Sequence, residues 1–166
     1  MEEKVSSENT EDKKIVLFSL YGESMGIDIS YVREVLAPVE IHKIPNTPDF
    51  IEGVINLRQH IIAVVDLRKK FAIDSEIEKK ENYRIIICKI KDFIIGLIVE
   101  SVQGVISISD TQFEVMPDII SSNSKDNHIL GVINVDDNII TVLNIDYILS
   151  QDEKTELSTI KHVKQK

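Results

Sequence analysis

The chain contains an internal repeat, which constrains its fold more than any other feature. Residues 53–67 align with residues 131–145, and seven of the fifteen aligned positions are identical. Upstream, residues 15–36 align with residues 85–106. The offset between the copies grows from 70 residues upstream to 78 residues downstream, so the second copy carries about eight additional residues within 107–130. A tandem pair of small units creates a seam between them, and such seams are common binding sites.

The composition favours β-strands in both copies. Hydrophobic residues make up 43% of the 166 residues, Ile and Val together exceed a quarter of the chain, and Trp is absent. β-Branched side chains are stiff at χ1 and favour pleated sheets. Each copy spans only about 65 residues, which is marginal for an independent core, so the copies are expected to lean on each other. Short strands separated by turns predict a small barrel, because closure removes exposed sheet edges.

Changes in composition along the chain indicate its organisation. We predict a flexible N-terminal tail over 1–13, a first barrel subdomain over 14–80 and a second barrel subdomain over 81–150. Residues 151–166 are polar and are expected to form a surface helix or to be disordered.

Two segments that follow strand pairs are predicted to be helical. Residues 30–36 are expected to form one or two helical turns capped by Ser30, with apolar side chains on one face at Val32, Val35 and Leu36. Residues 100–105 are expected to form a short turn of helix before the next strand.

The better-conserved half of the repeat predicts a hairpin followed by a short helix. GVINL and IIAVV are expected to be strands joined by a tight connection at residues 58–60, and Asp66 occupies the N-cap position of a short helix. The counterpart of Asp66 in the second copy is Asn144, as expected for capping rather than for proton transfer.

The bulk charge and the cysteine content exclude several classes of function. A net charge of −9 argues against nucleic acid or an anionic membrane as a partner, because phosphate contacts need clustered Lys and Arg. The single cysteine, Cys88, is predicted to be a buried strand thiol, which fits a reducing compartment. No apolar stretch approaches the ~20 residues of a membrane span, and the charged N-terminus lacks a signal-peptide core. The protein is therefore expected to be cytoplasmic.

No constellation of residues predicts catalysis, a metal or a cofactor. The four histidines are scattered without metal-ligand spacing, and no nucleophile has a nearby base. Residues 136–138 cluster acidic side chains, and a tight turn explains them better than a metal site does. The sequence thus predicts neither catalytic residues nor cofactors.

Two charged residues differ between the copies while the apolar framework is retained. Glu34 corresponds to Gly104, and Arg58 corresponds to Asp136. Core packing does not require these charges, so a surface role is expected for both. Alternatively, each is a solvated side chain that contributes little to stability.

Several segments in order resemble the CheW family of chemotaxis coupling proteins. They are MGIDISYVREV, IPNTPDFIEGVINLR, VVDLR, GLIVESVQGV and GVINVDDNIITVLNIDYIL, which together cover roughly residues 14–150. The resemblance implies two five-stranded SH3-like β-barrels packed side by side, whose chain ends can cross from one barrel to the other. It also implies a non-enzymatic adaptor that joins the cytoplasmic tips of chemoreceptors to the regulatory domain of the histidine kinase CheA.

The resemblance also implies where a receptor helix would bind. Carried over by position, the groove between the barrels comprises six residues: Val32, Glu34, Gly53, Arg58, Val102 and Val105. Recognition would be of the helix-in-groove type, with apolar anchors and two orienting charges. We predict that Glu34 and Arg58 form or approach an ion pair beside this groove. The family usually has glycine at the position of Gln59, and glutamine at a positive φ would cost about 1 kcal/mol.

A kinase contact is predicted in the inserted loop of the second copy. Ile119 and Ile120 are adjacent large apolar residues in a polar segment, so they are expected either to dock on a partner or to fold back on the barrel. Two other readings remain open: the coupling half of a CheV-type protein or of CheA, and a small β-barrel enzyme or ligand-binding protein using the groove. The former needs further domains, for which 166 residues leave no room unless the chain is a fragment, and the polar N-terminus beginning at Met1 leads us to expect that it is not a fragment.

Overall fold

The computed structural model describes residues 12–71, 82–115, 128–150 and 152–157. Within these ranges the chain forms eleven strands in two sheets. The strands are β1 (Lys13–Leu20), β2 (Glu23–Asp28), β3 (Val32–Leu36), β4 (Ile51–Leu57), β5 (His60–Asp66), β6 (Arg84–Ile90), β7 (Phe93–Val99), β8 (Ser101–Ile108), β9 (Phe113–Val115), β10 (Ile129–Val135) and β11 (Asn138–Leu143). Helix α1 spans Leu67–Lys70, short 3-10 turns span Ile29–Tyr31, Asp110–Gln112 and Ile145–Tyr147, and residues 152–157 are helical.

The two sheets exchange strands between the repeat copies. The five-stranded sheet has the order β3-β6-β7-β5-β4, and the six-stranded sheet has the order β8-β1-β2-β11-β10-β9. In the repeat, β1 to β5 correspond to β6, β7, β8, β10 and β11. Apart from β9, the two orders are therefore the same pattern with the copies interchanged. The five-stranded sheet takes three strands from the first copy and two from the second, and the six-stranded sheet takes two from the first and four from the second. The predicted boundary between residues 80 and 81 does not separate the sheets, because the chain crosses between them twice.

Side-chain hydrogen bonds stabilise both segments in which the chain passes from one sheet to the other, here called the crossings. At the first, between β2 and β3, the Tyr31 hydroxyl donates a hydrogen bond of 2.7 Å to Asp146, and this bond, with partial burial, raises the pKa of Tyr31 to about 12. At the second, between β7 and β8, the Glu100 carboxylate accepts hydrogen bonds from the Gly22 N–H at 3.1 Å and from the Ser19 hydroxyl at 3.3 Å. Each crossing is thereby attached to a residue far away in sequence.

Three hydrophobic clusters form the core, one within each sheet and one between the sheets. The six-stranded sheet has its own cluster, formed by Ile15, Ile108, Ile133, Ile140 and Val142. The five-stranded sheet has a second cluster, formed by Ile55, Ile62, Val64, Ile85, Ile87 and Ile98. The third and largest cluster, here called the joint core, combines buried residues of both sheets, among them Phe18, Ile27, Ile86, Cys88, Leu97 and Leu143. The expectation that the copies lean on each other is confirmed.

Strand β6 shows why its sequence is apolar throughout. Ile85 and Ile87 point into the cluster of the five-stranded sheet, whereas Ile86 and Cys88 point into the joint core. A strand that is buried on both faces has a continuous apolar run instead of an alternating one. Cys88 is fully buried, as predicted, and burial raises the pKa of its thiol to about 12, so it is not a reactive thiolate.

The two helical predictions after the strand pairs are wrong. Only Ile29–Tyr31 form a 3-10 turn, and its cap is the Asp28 carboxylate, which accepts from the Ser30 N–H at 2.9 Å. The chain then runs as strand β3 along β6, and residues 101–108 run as β8 along β1. Burial in β3 alternates along the strand, because pairing to a neighbouring strand leaves one face inward and the other in solvent.

The β4–β5 and β10–β11 hairpin turns have positive φ at both central residues. Arg58 and Gln59 have φ of 50° and 70°, and the equivalent Asp136 and Asp137 have φ of 49° and 67°. Two such residues are typical of a type I′ turn, whose twist matches that of the flanking strands. The turn interpretation of the acidic cluster is thus confirmed, and Gln59 does occupy a position that favours glycine.

Helix α1 and the C-terminal helical segment pack together. Asp66 caps α1 as predicted, by accepting from the Arg68 N–H at 2.9 Å. Lys70 forms an ion pair of 2.7 Å with Glu153 of the segment 152–157, and Leu157 is buried in the joint core. The first part of the predicted polar tail is therefore a docked helix. No helix in the described ranges is long and apolar enough to cross a membrane.

Candidate functional site

An exposed ion pair joins the edge strand β3 to the β4–β5 turn. The Arg58 guanidinium donates two hydrogen bonds to the Glu34 carboxylate, at 2.7 Å and 3.2 Å, in a bidentate arrangement. The Glu34 side chain is 27% exposed and that of Arg58 is 70% exposed. The predicted ion pair is confirmed.

The backbone positions both partners of this pair. A β-bulge in β3 leaves Arg33 without a partner on β6, so that Val32 lies opposite Cys88 and Glu34 lies opposite Ile87. Bulges of this kind re-aim the side chains next to them. Arg58 lies in the tight turn with a positive φ. Glu34 and Val32 thus lie on a bulged strand, and not on a helix as the sequence predicted.

The ion pair also closes the five-stranded sheet. Strands β3 and β4 are the two ends of the hydrogen-bonding order. Leu36 of β3 and Leu57 of β4 nevertheless pack against the same cluster, and the side chains of Glu34 and Arg58 are in contact. The sheet must curl until its ends meet, which is the geometry of a small barrel.

The hydrogen bonds and the charge of Glu34 raise the pKa of Arg58 above its ordinary value. Arg58 therefore carries its charge at every physiological pH. Because the pair is in contact with water, solvent screens the attraction and its contribution to folding is small. A bidentate pair of this kind does fix the orientation of both side chains.

The apolar groove residues occupy equivalent positions on the two outer strands. Val32 on β3 and Val102 on β8 are half-buried, and both pack against the joint core. Val35 and Val105, three residues further along each strand, are 41% and 52% exposed. The structure thus brings Val32 and Val102 to one shared core and leaves Val105 accessible to a partner.

Gly53 has a packing role that accounts for its identity. It is buried, its φ is +149°, and a side chain there would collide with the carbonyl of His42, which pairs antiparallel with Val54 of β4. Gly131 meets the Glu114 carbonyl of β9 in the same way. Glycine is needed at both positions because another backbone approaches closely.

The structure reveals charged residues that sequence reasoning missed. Glu52 is only 8% exposed and its carboxylate accepts from Lys69 at 2.6 Å, which raises the pKa of Lys69. Glu52 and Asp66 also line a cavity of about 240 Å³ beside Arg68. Comparison of the repeat copies could have identified Glu52 as unusual, because its counterpart in the second copy is the apolar Leu130.

Ile119 and Ile120, the predicted kinase contact, lie outside the described residues. In the part of the chain that the structure describes, no group of three or more His, Cys, Asp or Glu side chains could hold a metal ion.

Comparisons with known proteins place the chain in a family. The CheW-like domain family matches residues 14–153. The chemotaxis protein CheW of Klebsiella aerogenes is 31% identical over 144 residues, which cover 87% of this chain and 86% of that protein. The CheW of Treponema pallidum is 29% identical, covering 92% and 91% of the two chains. The crystal structure of the scaffolding protein TtCheW from Thermoanaerobacter tengcongensis has a TM-score of 0.77 at 40% identity, covering 86% of this chain and 96% of that chain. The chain belongs to the CheW-like family.

Membership of the CheW-like family confirms the predicted fold and activity class. The two sheets are the two SH3-like β domains of this family, one with five strands as predicted and the other with the three-residue β9 as a sixth. The CheW-like chain is a chemotaxis adaptor without enzymatic activity. Its working parts are therefore surfaces rather than a catalytic centre.

Proposed function

We propose that this chain connects the cytoplasmic tips of chemoreceptors to the regulatory domain of the histidine kinase CheA. Family membership supports a role in chemotaxis signalling, and adaptor activity requires at least two docking surfaces. The chain works in the cytoplasm, where both partners present their docking regions. Nucleic acid is not a partner, because the net charge of −9 opposes phosphate contacts.

The receptor surface combines half-buried valines with the exposed ion pair. Val32 and Val102 supply apolar contacts at the joint core, and Val105 extends that surface on β8. Glu34 and Arg58 stand at the edge of this surface with fixed orientation. A receptor helix lays apolar side chains along such a groove, while the charges at its rim select and orient it. Gly53 contributes by admitting the close approach of the His42 carbonyl to β4.

The observation that carries the proposal is the ion pair itself. Its two residues are replaced by Gly104 and Asp136 in the other copy, so the repeat does not need the pair in order to fold. The pair is exposed, and a bidentate geometry held in water has more value for recognition than for stability.

Charge reversal tests this receptor surface. We expect Glu34→Lys to reduce binding of a purified receptor signalling fragment about tenfold or more, because it places two cations together at the rim, while the melting temperature stays close to that of the wild type. Isothermal titration calorimetry and thermal unfolding give the two readings. Glu34→Lys combined with Arg58→Glu restores the opposite charges and should recover part of the affinity.

Glu156→Lys is a matched control, because Glu156 is an exposed glutamate on the C-terminal helical segment. It should leave receptor binding unchanged. Normal receptor binding by both Glu34→Lys and Arg58→Glu would refute the assignment, and a large loss of stability in either would make these residues structural.

The kinase surface is proposed for the inserted loop, with Ile119 and Ile120 as apolar contacts. Two adjacent isoleucines in a polar segment support docking on a partner. We expect Ile119→Ser to weaken assembly with a CheA regulatory fragment in a pull-down while receptor binding persists. Loss of cooperative unfolding in this variant would instead assign Ile119 to the barrel core.

A further inference from the structure

The cavity of about 240 Å³ lies where the two sheets meet. Leu20 at the end of β1 comes from the six-stranded sheet, and Ile98 at the end of β7 comes from the five-stranded sheet. Ile41 and Lys43, from the segment between β3 and β4, complete this wall together with charged residues around Arg68. All six residues of the proposed receptor groove are described by the structure, and none of them lines the cavity.

The repeat offers a reason for this space. The segment at His42 pairs antiparallel with β4 beside Gly53, just as β9 pairs antiparallel with β10 beside Gly131, so by register Ile41 corresponds to Phe113. In the second copy the Phe113 ring packs directly against Gly131 and Lys13 lies over that ring at 5.5 Å. Ile41 has no ring, so the same place in the first copy holds less side-chain volume.

The charges at the cavity also differ between the copies. Asp66 and Arg68 replace Asn144 and Asp146 of the second copy. The carboxylate at 66 and the cation at 68 are therefore not required by the shared framework. As for Glu34 and Arg58, a difference of this kind at retained backbone positions indicates a role that only one copy performs.

The carboxylates of the cavity wall already have donors. Asp66 accepts from the N–H of Arg68, Glu52 accepts from Lys69, and Glu100, which also lines the cavity, accepts from Gly22 N–H and the Ser19 hydroxyl. Lys43 is different, because its ammonium makes no hydrogen bond or ion pair with any residue in the described ranges. The group with unused hydrogen-bonding capacity at the cavity is thus a cation, and its complement is an anion.

We propose that this cavity binds a small apolar carboxylate of the aryl-acid class. One aromatic ring fits among Leu20, Ile41 and Ile98, and the carboxylate meets Lys43 at the mouth beside Arg68. An apolar protein cavity of about 150 Å³ is large enough for benzene, so the 240 Å³ here hold a ring with a short acidic chain. A ligand in this place contacts both sheets and would stabilise their arrangement.

Titration of the ¹⁵N-labelled full chain with phenylacetate tests the site. We expect saturable chemical-shift changes at the amides around Leu20, Ile41 and Ile98, with a Kd of about 1 mM, as is usual for a ligand of this size. Phenylacetamide has the same shape without the charge, so its affinity should be lower by about fivefold or more. Absence of saturable changes with phenylacetate, or equal binding of phenylacetamide, would overturn the proposal.

Two variants with a control locate the binding. Ile41→Phe copies the second copy of the repeat, fills the cavity and should abolish binding of phenylacetate. Lys43→Gln should lower the affinity for phenylacetate to that for phenylacetamide. Lys89 is an exposed lysine on β6 outside the cavity, so Lys89→Gln should leave the affinity unchanged. Unchanged binding by a folded Ile41→Phe protein would refute the site. If Ile41→Phe does not fold, the comparison of Lys43→Gln with Lys89→Gln decides, and equal affinities of these two refute it.

Discussion

Replacing Ile86 by alanine tests whether the two domains share one core. Ile86 and its neighbour Ile85 are both 0% exposed on β6. Ile85 belongs to the cluster of the five-stranded sheet, and Ile86 belongs to the joint core. The same substitution at adjacent positions of one strand therefore compares the interior of a domain with the contact between domains.

The magnitude follows from the burial. Isoleucine to alanine removes three carbon atoms, each worth about 0.8 kcal/mol or slightly more, and the remaining cavity adds to this loss. We expect both Ile85→Ala and Ile86→Ala to lower the free energy of unfolding by about 3 to 4 kcal/mol, a large part of the 5–15 kcal/mol that is typical of a domain.

Urea denaturation followed by far-UV circular dichroism measures this loss. Wild type and both variants should unfold in one transition, because the joint core makes neither domain independent of the other. A loss of under about 1 kcal/mol in Ile86→Ala, against a normal loss in Ile85→Ala, would show that the domains only touch. Two separate transitions would refute the shared core as well.

Two further predictions follow from the strand exchange and from the C-terminal ion pair. Cleavage of the chain between Ser75 and Glu76 should leave two fragments that are unfolded alone and regain β-structure by circular dichroism when mixed, because each sheet needs strands of both copies; fragments that fold separately would contradict the topology. Burial opposes ionisation of Glu153, but hydrogen bonds from Lys70 and Ser150 outweigh it and lower the pKa of this carboxyl group. The stabilisation by Glu153 is therefore fully present above about pH 4.3 and is lost as the pH falls through the lowered pKa. The stability difference between wild type and Glu153→Gln, measured by urea denaturation, should shrink over this range, and a constant difference would refute the assignment.

The segment at 30–36 shows where local sequence is ambiguous. Val32, Val35 and Leu36 fit one face of a helix, but residues 32, 34 and 36 also alternate as a strand requires. Hydrogen bonding to β6, a strand distant in the sequence, decides for the strand. The bulge that leaves Arg33 unpaired also depends on this partner.

The charged residues illustrate two degrees of predictability. The differences between the repeat copies and the family resemblance identified Glu34 and Arg58, and the structure adds their bidentate geometry. The cavity residues were not found, because Leu20, Lys43 and Ile98 belong to separate segments and have nothing unusual in their local sequence. Only the folded chain brings their side chains together.

The sequence by itself determined that the protein is built from two related β units with mutually dependent cores. The apolar residues have the same spacing in both copies, so the relation between the two units can be read from each segment of sequence by itself. Only the tertiary structure decided which strands share a sheet. β1 and β6 have the same apolar pattern, so either could pair with β3 as far as local sequence is concerned. The choice depends on the short crossings fastened by Tyr31 and Glu100, and on a joint core whose contacts connect residues far apart along the chain.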